Sequence, residues 1–218
     1  MVLTRHRVKS YKRRMEKKGV KFGIEPVKEY DDRIRNRNLY EYMVKFRLNE
    51  NALIGKDVLD VGSGEGLFVS EARIKGINAY GLEPRGILFS DEFIKKGMIQ
   101  YFKSKKKFDY ILAFASVPHY LVTAYNTRLS VYNMVKLLKS NGKLLICLVD
   151  TKKSKNEKEK IILVPTYVDN SKEGVKINTL INKLRSCGFA CDVSHRVLQI
   201  ERTPNADLDK LRRWLSLD

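Results

Sequence analysis

The sequence specifies an α/β fold, a mostly parallel sheet with helices packed on both faces, in a chain of 218 residues. Three observations lead there. Short apolar runs of strand length alternate with segments of helical spacing, the order produced when parallel strands are joined by crossover helices. A turn built on Gly62, Gly64 and Gly66 follows the first of those runs, where a chain bending sharply against a ligand needs backbone without a Cβ. The next run ends in an acid, Glu83, at the place where such units receive ribose hydroxyls.

The elements follow in order. Residues 1–22 are rich in Lys and Arg and hold too few apolar side chains to bury a helix. Over 30–48, Ile34, Leu39, Tyr42, Met43 and Phe46 recur at near-helical spacing and predict an amphipathic helix ahead of the first strand. Val58, Leu59 and Val61 mark a buried strand at 57–61, the glycine turn follows, and 67–75 reads as a helix. Further strands are expected at about 79–83, 98–102, 109–114, 143–149, 190–196 and 197–202, with helices at about 86–96, 122–139 and 175–187. No internal repeat interrupts this alternation.

The glycine spacing discriminates between cofactors. A dinucleotide fingerprint needs glycines at relative positions one, three and six, and the third would fall on Leu67. The pattern Asp60-Val61-Gly62-Ser63-Gly64-Glu65-Gly66 instead resembles motif I of the class I S-adenosylmethionine-dependent methyltransferases. Downstream, Lys107-Phe108-Asp109-Tyr110-Ile111-Leu112-Ala113-Phe114 resembles that family's fourth strand. Leu137-Leu138-Lys139-Ser140-Asn141-Gly142-Lys143 resembles its helix end and glycine turn before strand five, and Cys187-Gly188-Phe189 its last helix-to-strand turn. The likeness spans about residues 28–202.

That resemblance implies a Rossmann-like, doubly wound, three-layer sandwich closed by an antiparallel C-terminal strand, with S-adenosylmethionine as cofactor. It places Asp60 near the methionine end of the cofactor, Gly62, Ser63, Gly64 and Gly66 beneath it, and Glu83 on its ribose. The helix preceding the first strand often lies across the cofactor entrance in such enzymes; packing on the sheet for stability alone is the competing reading. Ligands of open α/β sheets bind outside the carboxyl ends of the strands, so Phe114 and Ala115 are expected beside the cofactor, and His119 beside the methyl acceptor. Many relatives with small acceptors carry a Glu-His pair there, whereas this chain has Pro118-His119. His119 is the candidate general base, since imidazole titrates in the useful range; lining the pocket is its other reading.

Several chemistries are disfavoured. The segment Val117-Pro118-His119-Tyr120 lacks the polar acceptor and second Pro of enzymes that methylate exocyclic amino groups of bases. No Cys follows the fourth strand to add to a cytosine ring. His6, His119 and His195 are far apart with no Cys or acid at ligand spacing, so no metal is expected.

Charge raises a different question. The formal net charge is +18, and residues 1–28 alone carry ten Lys and Arg against two Glu. Further basic runs lie at Lys103-Ser104-Lys105-Lys106-Lys107 and over 151–160. Clustered positive charge is how a polyanion site looks in sequence, because neutralised phosphates release counterions. A basic arm over 1–27 and a catalytic domain over 28–218 are therefore expected, with RNA ranked ahead of a small molecule as methyl acceptor. A small-molecule methyltransferase and a non-catalytic protein that keeps the fold stay open as alternatives. No run reaches the roughly 18 apolar residues of a membrane span, and three cysteines with no disulfide or zinc pattern suit a cytoplasmic setting.

Overall fold

A computed structural model describes residues 37–83, 93–114, 124–148, 162–163 and 175–214. The basic arm, the 151–160 run, Ala115 and His119 lie outside the described residues. Helix α1 (Leu39–Phe46) opens the described chain, followed by a short helix α2 (Glu50–Leu53) and strand β1 (Asp57–Val61). Then come α3 (Leu67–Ile74), β2 (Asn78–Glu83), β3 (Ile94–Lys96), β4 (Phe108–Ala113), α4 (Ala124–Lys136) and β5 (Leu138–Cys147). The chain ends through β6 (Ile162–Leu163), β7 (Val175–Lys176), α5 (Ile177–Ser186), β8 (Ala190–Ser194), β9 (Val197–Glu201) and α6 (Leu208–Trp214).

Seven strands form one sheet in the order β3-β2-β1-β4-β5-β9-β8. The first five neighbours are parallel, and β9 runs antiparallel to both β5 and β8. Chain order reverses between β1 and β4, which opens a crevice at their carboxyl ends. The period-two alternation of each strand sorts its side chains into two cores. Leu59, Val61, Ile111, Ala113, Leu144 and Ile146 face the layer holding α4, α5 and α6. Val58, Ala79, Leu112 and Leu145 face α1 and α3, against Tyr42, Phe46 and Phe68. The expected three-layer α/β sandwich is thus present, with its antiparallel strand near the C-terminus.

The edges of the sheet differ from the sequence reading. Residues 94–96, expected in a helix, form the edge strand β3, whose Ile94 packs against the face of Gly81 while Lys95 and Lys96 stay exposed. The pairing works because Gly81 has no side chain: a Cβ there would sit 3.0 Å from Ile94 Cγ1. Residues 99–101, expected in a strand, form a 3₁₀ turn instead. Asn133 of α4 donates to the carbonyls of Ile99 and Gln100 at 3.2 and 2.7 Å, so those groups have no need of a sheet partner.

Strand β5 also begins earlier than expected. Leu138 pairs with Phe108, after which the register jumps to Lys143 opposite Tyr110, and residues 139–142 form the intervening excursion. Asn141 takes a positive φ of 62° there. Between β8 and β9, His195 and Arg196 make a two-residue turn with φ of 50° and 61°, the left-handed pair that matches the twist of a hairpin. Helix α6, the short helix α2 and the small β6–β7 pairing had not been anticipated. No helix among the described residues is long and apolar enough to cross a membrane.

Candidate active site

The site is built where β1, β2 and β4 end. Asp60 is the fourth residue of β1 and is fully buried, an unusual place for a carboxylate unless something answers its charge. The chain then turns through Gly62, Gly64 and Gly66, with φ of 81°, 60° and 85°, values that side-chain-bearing residues rarely adopt. Three bonds tie this turn to β2: Gly62 N–H and Ser63 N–H donate to the Leu82 carbonyl at 2.7 and 3.4 Å, and Gly64 N–H donates to Glu83 Oε2 at 3.1 Å. Gly66 starts α3, and a Cβ there would collide with Ile94.

Glu83 ends β2 at only 3% exposure. With β1 and β2 paired so that Asp60 lies opposite Gly81, the two acids stand at the same end of adjacent strands. Beside Gly81, whose missing side chain leaves it room, the Ser63 hydroxyl is buried with no hydrogen-bond partner among the described residues. Two buried carboxylates, an unsatisfied hydroxyl and a turn free of Cβ atoms suit a ligand with a cationic end and a ribose.

Helix α1 covers this end of the sheet. A capping box fixes its start, with Asn38 and Glu41 exchanging side-chain bonds with each other's backbone N–H at 2.9 Å. Leu39 N–H donates to Glu71 of α3 at 2.7 Å, tying the two helices together. Tyr42 then points inward, its hydroxyl 2.9 Å from each carboxylate oxygen of Asp60. Its ring stacks on Phe68 at 4.1 Å between centroids and meets Phe114 edge-on at 5.1 Å. Arg37 donates to the Phe114 carbonyl at 2.7 Å while its guanidinium lies 3.8 Å above the Phe114 ring. Burial pushes the Asp60 carboxyl up to about 7; Tyr42 opposes that rise, Glu83 adds to it and Arg37 opposes it. The Tyr42 hydroxyl is held well above its usual range, first by burial and then by Asp60.

The opposite end of the sheet carries a different cluster. At the amino ends of β1 and β4, Lys106 reaches Asp57 at 2.7 Å, and Lys139 bridges Asp57 and Asp109 at 2.8 and 2.7 Å. Partial burial raises the two carboxyls, but their lysine partners outweigh it and hold both below the ordinary range. Lys107 donates to the Lys136 carbonyl at 2.7 Å. Two lysines of the 103–107 run are therefore engaged within the protein, at the end of the sheet away from Asp60 and Glu83.

This arrangement is an α/β fold with a crevice at the ends of β1, β2 and β4. The chain belongs to the methyltransferase domain family, whose description matches residues 32–172, and it is an S-adenosylmethionine-dependent methyltransferase. Solved structures of the same fold include a sugar N-methyltransferase from Streptoalloteichus, at 12% identity and TM-score 0.57, covering 83% of this chain and 95% of that one. An amino pentose methyltransferase from Micromonospora echinaspora, solved with S-adenosylmethionine, aligns at 13% identity and TM-score 0.55 over 83% of this chain and all (100%) of the other. An N-methyltransferase from Bradyrhizobium japonicum in complex with S-adenosyl-L-homocysteine aligns at 17% identity and TM-score 0.52 over 91% and 98% of the two chains. At these identities the likeness is one of fold. No curated protein sequence matches the chain.

Of the residues singled out from sequence, Asp60, Gly62, Ser63, Gly64, Gly66, Glu83 and Phe114 come together at one end of the sheet. The sequence reading missed the Tyr42 bond to Asp60 and the Arg37 clamp on Phe114. A signal for the first existed: a tyrosine on the apolar stripe of a helix needs a buried partner for its hydroxyl, and the strand that follows carries an acid within its apolar run, Asp60.

Proposed function

We propose that this methyltransferase acts on a small-molecule acceptor. The observation that carries the choice is the position of the 103–107 basic run, whose Lys106 and Lys107 are tied to Asp57 and to the Lys136 carbonyl at the amino ends of the strands. A polyanion gripped there would be held at the wrong end of the sheet for methyl transfer. The amino pentose methyltransferase and the sugar N-methyltransferase of the same fold support the same reading, and RNA, which charge alone ranks first, gains no support from them.

S-adenosylmethionine supplies an electrophilic methyl group on a sulfonium sulfur. In this reading Asp60 faces its cationic methionine end, and Glu83 accepts hydrogen bonds from the two ribose hydroxyls. Gly62, Gly64 and Gly66 let the backbone approach closely, and the Ser63 hydroxyl takes a polar partner from the ligand. Phe114 and Ala115 border the donor where β4 ends. His119, five residues past Phe114, accepts the proton that the acceptor sheds. The protein's main contribution is alignment of donor and acceptor.

The basic arm provides the test of acceptor class. Deleting residues 1–22 is expected to leave cofactor affinity unchanged, because Asp60, Glu83 and the glycine turn are held by contacts among residues 37–114. The full chain is expected to show no RNA binding at near-physiological salt. Tight RNA binding that falls with salt at about −0.7 per phosphate neutralised, and is lost with the arm, would return the acceptor to RNA.

A further inference from the structure

We propose that Tyr42 is a positioning residue that holds the Asp60 carboxylate in its charged form and aims it at the cationic end of the cofactor. The inference rests on the cofactor role of Asp60 given above and adds a residue from outside the glycine motif. A tyrosine hydroxyl has one proton to donate, and here it lies 2.9 Å from both oxygens of a carboxylate that has no exposure to solvent. Such a donor stabilises the anion over the neutral acid, which brings a proton of its own.

The geometry is imposed by packing. The Tyr42 ring is fixed between Phe68 and Phe114, and Phe46 lies 5.8 Å away by centroids. The helix that carries it is locked by its capping box and by the Leu39 bond to Glu71. The hydroxyl is therefore aimed by the fold, and Asp60 has to meet it. The other charged groups bearing on Asp60 are Glu83, which disfavours its charge, and Arg37, which favours it. Burial pushes the Asp60 carboxyl up to about 7 against the opposing pull of Tyr42. Without the hydroxyl the protonated fraction grows, and a cation loses its partner.

The sign follows directly. In Tyr42→Phe the ring packing stays and the donor goes, so Asp60 must be deprotonated at higher pH before it can pair with a cation. The ratio of wild-type to variant affinity for S-adenosyl-L-homocysteine, measured by calorimetry, is expected to be about tenfold near pH 6 and to close toward one as pH approaches about 9. Taking the ratio removes the ligand's own titration. A ratio that stays constant with pH, together with an Asp60 titration that does not move, would mean that Tyr42 only packs, and would overturn the proposal. A second measurement needs no ligand: the Asp60 carboxyl titration, followed by carbon NMR, should move up by about one pH unit in Tyr42→Phe. An unmoved titration also overturns the proposal. A titration that moves while affinity shows no pH-dependent change would keep Tyr42 as the residue setting the Asp60 charge and would instead remove Asp60 from the cofactor site.

Discussion

Glu83→Ala is expected to weaken S-adenosylmethionine binding by about 10- to 150-fold, which corresponds to the roughly 1.5–3 kcal/mol of hydrogen bonds made to a charged group. The effect is large because Glu83 is nearly inaccessible, at 3% exposure, so water cannot replace it as an acceptor for the ribose hydroxyls. The substitution also strips Gly64 N–H of the acceptor it now has at 3.1 Å, loosening the glycine turn. Calorimetric titration checks this result, and an affinity equal to that of wild type would contradict the ribose assignment. Glu83→Gln is the informative companion: it keeps the size and one acceptor oxygen but loses the charge, and should fall between the two.

His119→Asn is expected to lower turnover by about 10²–10⁴-fold while leaving cofactor affinity nearly unchanged, the pattern of a lost general base. The expectation comes from position in the topology. Strand β4 ends at Ala113 at the carboxyl edge where the sheet order reverses, and His119 follows within six residues. The reduction should be greatest where the acceptor is a protonated amine, which must lose a proton before its lone pair can attack. Steady-state rates across pH distinguish the roles: near-normal turnover at every pH would make His119 a pocket-lining residue only.

Much of the fold was legible because its central strands are buried on both faces. Such strands read as continuous apolar runs, as Val58-Leu59 and Ile111-Leu112-Ala113 do, and the glycine turn fixed where the first crossover begins. The edge strand was not legible, because Ile94-Lys95-Lys96 is one apolar residue followed by two charges and pairs only through the gap left by Gly81. The 3₁₀ turn at Ile99–Tyr101 was hidden for a related reason: the side chain that satisfies its carbonyls, Asn133, lies 33 residues from Gln100 along the chain. Short-range patterns cannot report a partner so distant.

The candidate site shows the same division. Motif I and the acid ending β2 sit within one crossover and could be read together. Tyr42 lies 18 residues before Asp60, and Arg37 lies 77 before Phe114, so those contacts follow only from how α1 crosses the sheet. Charge was the least reliable guide. Composition counts Lys106 and Lys139 as free cations, whereas in the fold both are committed to Asp57.

Label transfer measures most directly whether this site methylates a small molecule. Purified protein is incubated with methyl-labelled S-adenosylmethionine and a cell extract separated into low-mass metabolites, RNA and protein, with Glu83→Ala run in parallel. Label is expected in the low-mass fraction, resistant to nuclease and protease, and strongly reduced with Glu83→Ala. Label recovered in RNA or protein instead, or transfer that Glu83→Ala leaves untouched, would contradict the small-molecule reading of this site.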